Sequence, residues 1–216
     1  MFIMQKITNR SLCKDNEVDL YRQGKRRLAT YEEVEFDLKK DLGKLLYGFN
    51  KAIEMYNEKY AIVPLHKRVR NYSAINFNQC LVLCAFEEFS NNCFFGKYRR
   101  FFISLNGYII QFKKLNGKGY PMNIKTGNVS DIANQLSLDL FGDTQNYNPI
   151  LFFGYKTDKL GQFISPQIIY IDEGKIQFTI TEDNMNKFEF QNINFENEDE
   201  NITVKIKESK KLKRAN

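Results

Sequence analysis

YRRFFISLNGYIIQFKK, residues 98–114, sets two runs of aromatic and β-branched residues on either side of the dipeptide Asn106-Gly107. Both central residues of a type I′ turn need positive φ, which Asn and Gly tolerate best, so this spacing predicts a two-residue β-hairpin. The same chemistry returns further along the chain in ILFFGYK, PQIIYID, KIQFTI and KFEFQNI, with a second turn expected at Glu173-Gly174. Alternation in KIQFTI and KFEFQNI gives each of those strands one wet face, and neighbouring strands of this kind build a mostly antiparallel sheet.

Toward the N terminus the period changes from two to between three and four. Thr30 with Glu33 three positions later has the spelling of a capping box. Beyond it Val34, Leu38, Leu42, Leu45, Leu46, Phe49, Ile53, Tyr56 and Tyr60 recur on one helical face. They predict a single helix of roughly 45 Å at 1.5 Å per residue. Gly43 and Gly48 weaken it by about 1 kcal/mol each relative to Ala, so tertiary packing must hold it. Pro64 ends the register, and HKRVRNY follows as a basic connector, either edge strand or loop. Over residues 76–90, Phe77, Leu81, Cys84, Ala85 and Phe89 fit a helical face and predict a helix, although CLVLCAF has the composition of a buried strand. LNGKGYP supplies another turn, and Thr126 or Asn128 is placed to cap a short helix through VSDIANQLSL.

Helices first and strands later predict an α+β fold: a mostly antiparallel β-sheet with a long N-terminal amphipathic helix packed on one face. The expected organisation is a polar arm at 1–29, one domain at 30–195 and a charged tail at 196–216, where ENEDEN precedes KIKESKKLKR. A chain of 216 residues buries a core without disulfide staples. Cys13, Cys80, Cys84 and Cys93 lack the spacing of a secreted scaffold and read as reduced thiols. Cys80 and Cys84 stand four apart, as zinc ligands on one helical face do, but the single histidine, His66, leaves the set short of ligands. The longest apolar run, CLVLCAF, is seven residues, too short to span a bilayer, and a cytoplasmic location is expected.

Motifs for common chemistries are missing. No serine stands in G-x-S-x-G, and the chain has neither a Walker phosphate loop nor a dinucleotide fingerprint, so triad hydrolysis and nucleotide turnover by those loops are disfavoured. No cofactor is expected. Glu173-Gly174-Lys175 with Asp158 or Asp143 upstream meets the minimal spelling of a divalent-metal nuclease, but Asp172, Glu173 and Gly174 are also what a hairpin turn selects.

Charge distribution is more informative than total charge. The chain carries a net +6, whereas residues 61–125 hold ten Lys or Arg against Glu87 and Glu88, a net +8 that leaves −2 for the rest. In that stretch Lys67, Arg68 and Arg70 precede Tyr72; Lys97, Tyr98, Arg99 and Arg100 follow Phe94 and Phe95; Lys113 and Lys114 share a hairpin with Tyr108. Basic side chains neutralise phosphates with counterion release, and exposed aromatic faces stack unpaired bases. The sequence therefore predicts a DNA- or RNA-binding surface made by Lys67, Arg68, Arg70, Lys97, Tyr98, Arg99, Arg100, Lys113 and Lys114. A different reading is a protein-binding inhibitor or adaptor, of the kind a phage or other mobile element encodes, that targets a nucleic-acid-handling complex. The metal nuclease is a third.

Overall fold

A computed structural model describes residues 25–122, 126–136 and 147–187. Thr30 caps the first helix as its neighbours require. It is extended at φ −103° and ψ 160°, accepts from the Glu33 amide at 3.3 Å, and starts α1, Tyr31–Asp37. The helix then breaks. At Leu38 ψ opens to 7°, and α2 begins anew as Lys39–Lys59. The single 45 Å rod expected from periodicity is thus a short helix followed by one of 21 residues, about 32 Å long. Tertiary contacts account for the break: the Asn106 side-chain amide donates to the Asp37 carbonyl at 2.7 Å and to the Asp41 carboxylate at 3.0 Å, and the Tyr108 hydroxyl donates to the Asp37 carboxylate at 3.1 Å. A hairpin tip occupies the gap, and the apolar period runs through it undisturbed.

Residues 65–67 form a single 3₁₀ turn, so the basic connector is loop rather than edge strand. Helix α3, Tyr72–Phe89, contains CLVLCAF and settles its ambiguity in favour of helix, with Phe77, Cys80, Leu81 and Cys84 buried. Among the described residues six strands follow: β1 Cys93–Phe95, β2 Phe101–Leu105, β3 Tyr108–Lys114, β4 Ile150–Thr157, β5 Phe163–Asp172 and β6 Lys175–Thr181. They lie side by side in chain order, all antiparallel except β3 with β4. The fold is α+β with a mostly antiparallel sheet. Both turns have the geometry their dipeptides demand, with φ of 45° and 82° at Asn106 and Gly107, and 52° and 69° at Glu173 and Gly174.

The two faces of the sheet differ. Helices α2 and α3 cover one, where Leu42, Phe49, Phe77, Ile110, Phe153 and Tyr155 belong to a single apolar cluster. Phe77 stacks on Phe163 at 3.6 Å between centroids and meets Phe49 edge-on at 5.6 Å. The other face carries a smaller cluster of Phe102, Ile109, Leu115, Ile132, Ile150, Phe152, Ile169 and Ile171. A parallel pair needs a crossover, and the chain between β3 and β4 includes α4, Gly127–Ala133, which rests on this second face. Of the two candidate caps, Thr126 is the one that closes α4, accepting from the Val129 amide at 3.4 Å.

Residues 25–29, the end of the expected polar arm, are packed. Lys25 bridges to Leu136, the Arg26 amide donates to Gln135, and Ala29 lies in the main core. Arg26 has no exposed surface, donates from Nη1 to the Asn148 carbonyl at 3.0 Å, and is pushed down to about 10 by burial. The preceding residues of the arm, the charged tail, and KFEFQNI beyond Lys187 lie outside the described residues. Among the described residues no helix is long and apolar enough to cross a membrane.

Candidate functional site

The nine basic and aromatic residues expected to share a surface do not share one. Lys67 and Arg70 are exposed in the connector between α2 and α3, on the helical layer. Arg68, between them, is turned inward: Nε donates to the Val63 carbonyl at 2.8 Å, Nη2 to the Ala61 carbonyl at 3.1 Å, and Nη1 to the Tyr56 hydroxyl at 3.2 Å and Ser73 Oγ at 3.3 Å. Its role is to tie the connector closed. Helix α3, 18 residues and about 27 Å long, separates this corner from the second basic cluster.

That second cluster forms the turn between β1 and β2. Tyr98 and Arg99 adopt φ of 60° and 54°, a region that non-glycine residues enter at a cost, and the Gly96 amide closes the turn onto the Arg100 carbonyl at 2.8 Å. The turn holds aromatic rings in the open with cations on them. Tyr98 is 77% exposed, with the Arg100 guanidinium 5.9 Å from its ring, and Arg99 stands 5.7 Å from the ring of the half-exposed Phe95. Pairs at this distance are attracted through the ring quadrupole.

Arg100 also reaches the second face of the sheet. Along β3, Tyr108, Ile110 and Phe112 point into the helix-covered core, so Ile109, Gln111 and Lys113 point the other way, while Lys114 alternates back to the helical side. Arg100, Gln111, Lys113 and Phe152 line a cleft of about 340 Å³ that is closed by Tyr120 and Pro121 on one side and by α4 on the other. Among the described residues its only charged lining side chains are the two cations. Burial, with a smaller contribution from Arg100, pushes the Lys113 ammonium down to about 8, and Arg100 Nη1 is buried without a protein hydrogen-bond partner. With no carboxylate among the described lining residues, two partly buried like charges are costly for the fold, and an anion placed between them offsets that cost.

Local structure explains why the cleft keeps its shape. The Asn116 side chain accepts from the Lys118 amide at 2.9 Å and the Tyr120 amide at 3.0 Å, fixing the LNGKGYP turn that carries Tyr120. On the far side Gln135 has no exposed surface and clamps the sheet, donating to the Ile150 carbonyl at 3.0 Å and the Ile171 carbonyl at 2.7 Å, and accepting from the Ile150 amide at 3.0 Å. Gln135, Gln111, Tyr120 and Phe152 are the residues sequence reasoning missed. Nothing in their local spelling marks them, because the cleft is assembled across the crossover.

The carboxylates of the nuclease spelling are not brought together. Asp158 caps the β4–β5 turn, accepting from the Leu160 and Gln162 amides at 2.9 and 2.8 Å. Glu173 sits in the turn at the other end of β5, ten residues and about 33 Å away, where it pairs with Lys25 at 3.0 Å. Asp143 lies outside the described residues. Among the described residues no group of three or more His, Cys, Asp or Glu is placed to hold a metal ion. His66 is exposed in its 3₁₀ turn, and Cys80 and Cys84 are buried. Comparison of the chain with protein-family models, with curated proteins and with solved structures finds no match in any of the three.

Proposed function

We propose that the chain binds single-stranded nucleic acid through the β1–β2 turn and the cleft beside it. The observation that carries this reading is the position of Arg100, which lies against an exposed aromatic ring and also lines a cleft together with Lys113. Rings exposed as Tyr98 and Phe95 are accept unpaired bases face to face, and the neighbouring Lys97, Arg99 and Arg100 neutralise the intervening phosphates. Bases already stacked in a duplex have no face to offer, so single strands are favoured. Lys67 and Arg70 are too remote to belong to the same footprint.

Fluorescence anisotropy with labelled single- and double-stranded DNA and RNA at about 50 and 200 mM salt tests the reading. Single strands are expected to bind more tightly and to weaken steeply with salt. Charge reversal at Arg99 and Arg100 is expected to abolish binding, while reversal at Lys67 and Arg70 leaves it nearly unchanged. Binding indifferent to the Arg99 and Arg100 changes overturns the proposal.

A second reading, the protein-binding inhibitor or adaptor, is favoured by a specific patch on the opposite corner. Ile62, Val69 and Leu160 are 76%, 73% and 70% exposed, and Leu65, from the same connector as Ile62 and Val69, packs beside Gly161, the neighbour of Leu160. Clustered apolar exposure of this kind marks interaction surfaces. Salt-tolerant co-purification of a specific partner, lost on Val69→Asp, supports it; recovery of background alone counts against it.

A further inference from the structure

We infer that the cleft between the sheet and α4 is a pocket for a single unstacked nucleotide, with Arg100 and Lys113 holding its phosphate and the apolar end receiving its base. This inference rests on the nucleic-acid reading and gives the cleft a distinct task within it. Strand register shows that the cleft is polarised. Lys113 pairs with Gly154, Gln111 with Phe152, and Ile150 lies one step before the Leu151–Tyr170 pair, which brings it level with Ile171. From the Lys113 row to the Ile171 row is four residues, about 13 Å along the strands. Both cations stand at one end, the end where β2 begins and β3 finishes. The wall near the other end is Ile132, Ala133 and Ile171, and Gln111 and Phe152 make the floor between.

A ligand that fits has an anionic head, a flat apolar body and polar edges. Its head meets two cations, with no competing carboxylate among the described lining residues. Its body meets Phe152 and the α4 wall. Its edges meet the Gln111 amide, which both donates and accepts, and the Tyr120 hydroxyl. A nucleoside monophosphate has all three parts. At about 340 Å³ the cleft lies near the small end of the roughly 300–1,000 Å³ range of ligand pockets, room for one monomer and too little for a run of polymer. A strand crossing the β1–β2 turn therefore delivers one nucleotide into the cleft and leaves its neighbours on Tyr98 and Phe95.

The charge state of Lys113 supplies a second readout. The titratable or charged groups that line the cleft with it are Arg100, from the start of β2, and Tyr120, from the turn after β3; β4, β5 and α4 contribute none to the lining. Because Lys113 titrates at about 8 when the cleft is empty, its positive charge fades as pH rises from about 7 to 9. A phosphate monoester, whose second pKa is about 6, stays doubly charged over that window.

Calorimetric titration of the full chain with adenosine and uridine 5′-monophosphate, the corresponding nucleosides, inorganic phosphate and dodecanoate tests the pocket, alongside displacement of a labelled oligonucleotide. The monophosphates are expected to bind, to weaken by about tenfold or more without the phosphate or in Lys113→Met and by up to about tenfold between pH 7 and 9, and to displace part of the oligonucleotide's affinity. Oligonucleotide binding with no monophosphate binding, and no effect of Lys113→Met beyond that of one rim charge, overturns the pocket and leaves the proposed interface standing. Monophosphate binding with no oligonucleotide binding overturns the interface instead. Failure of both ligands defeats both. Dodecanoate or bare phosphate binding as tightly as the monophosphates refutes the assignment to a nucleotide, because one lacks the edges and the other the body.

Discussion

On the helix-covered face of the sheet, Phe49, Phe77, Phe153, Tyr155 and Phe163 interlock in edge-on and stacked pairs, whereas on the opposite face Phe152 and Ile171 share a cleft with Arg100 and Lys113. The first arrangement buries its rings against one another in a close-packed layer. The second gives up stability by holding two cations close together in partial burial. Interiors are close-packed because every void forfeits dispersion and transfer energy, and the cleft beside Arg100 and Lys113 departs from that rule where the other face obeys it. One sheet thus carries the fold on one side and the candidate chemistry on the other.

The largest expected effect lies on the packed face. Phe77→Ala removes the ring that stacks on Phe163 and meets Phe49, Tyr56 and Tyr155, and urea denaturation is expected to show a loss of about 3–5 kcal/mol. If the two faces are energetically separate, nucleic-acid affinity measured well below the unfolding midpoint stays within twofold of the original. A large affinity loss in a still-folded variant breaks the division.

The cleft face has its own anchor, and the comparison sharpens there. Gln135→Ala strips partners from the Ile150 amide and carbonyl and the Ile171 carbonyl, all in buried surroundings, for an expected loss of about 2–3 kcal/mol. Unlike Phe77→Ala, it loosens the α4 wall as well. Faster amide exchange at Ile150 and weaker ligand binding are expected together; exchange that stays slow shows that α4 is held by other contacts.

Lys113→Met has the smallest effect and the opposite sign. The folded state holds the ammonium at about 8 against the ordinary 10.5, so folding must oppose its charge at neutral pH. Each unit corresponds to about 1.4 kcal/mol, and partial exposure reduces the total, so replacement by an isosteric apolar chain is expected to raise stability by about 1–2 kcal/mol near pH 7. The direction with pH follows. Between about 8 and 10.5 the unfolded chain binds more protons at this site than the folded one, so Lys113 makes the unmodified protein gain stability as pH rises through that window. The variant lacks this gain while losing anion binding. A variant less stable than the original at pH 7 shows that Lys113 has a structural partner and is not a binding residue.

Much of the architecture was legible because it follows from local rules. Asn106-Gly107 and Glu173-Gly174 specify their turns through positive φ, Thr30 and Thr126 specify helix starts through their hydroxyls, and the apolar stripe of α2 needs only the helical period. What local rules could not foresee was the break at Leu38, where propensity and period both continue but Asn106 captures the Asp37 carbonyl. The packing of Arg26 was likewise hidden, since Lys25, Arg26 and Arg27 have the composition of a solvated arm, yet the Arg26 amide meets Gln135, 109 positions away by residue number.

The candidate site was half legible for a related reason. Arg100 and Lys113 were among the nine residues named from charge and aromatic interleaving, but clustering in sequence says nothing about which side of a strand a residue takes. Alternation turns Lys113 and Lys114 to opposite faces, and one helix length separates Arg70 from Arg99. Taken alone, the amino-acid order determines the hairpins, the caps, the helical stripe and the excess of positive charge between residues 61 and 125, because each depends on near neighbours. Only the tertiary structure decides that Arg68 is a staple, that Lys67 and Arg70 stand apart, and that Arg100 and Lys113 meet in a cleft. Those outcomes depend on strand register and on where the β3–β4 crossover lands, and both are set by burial across the whole sheet.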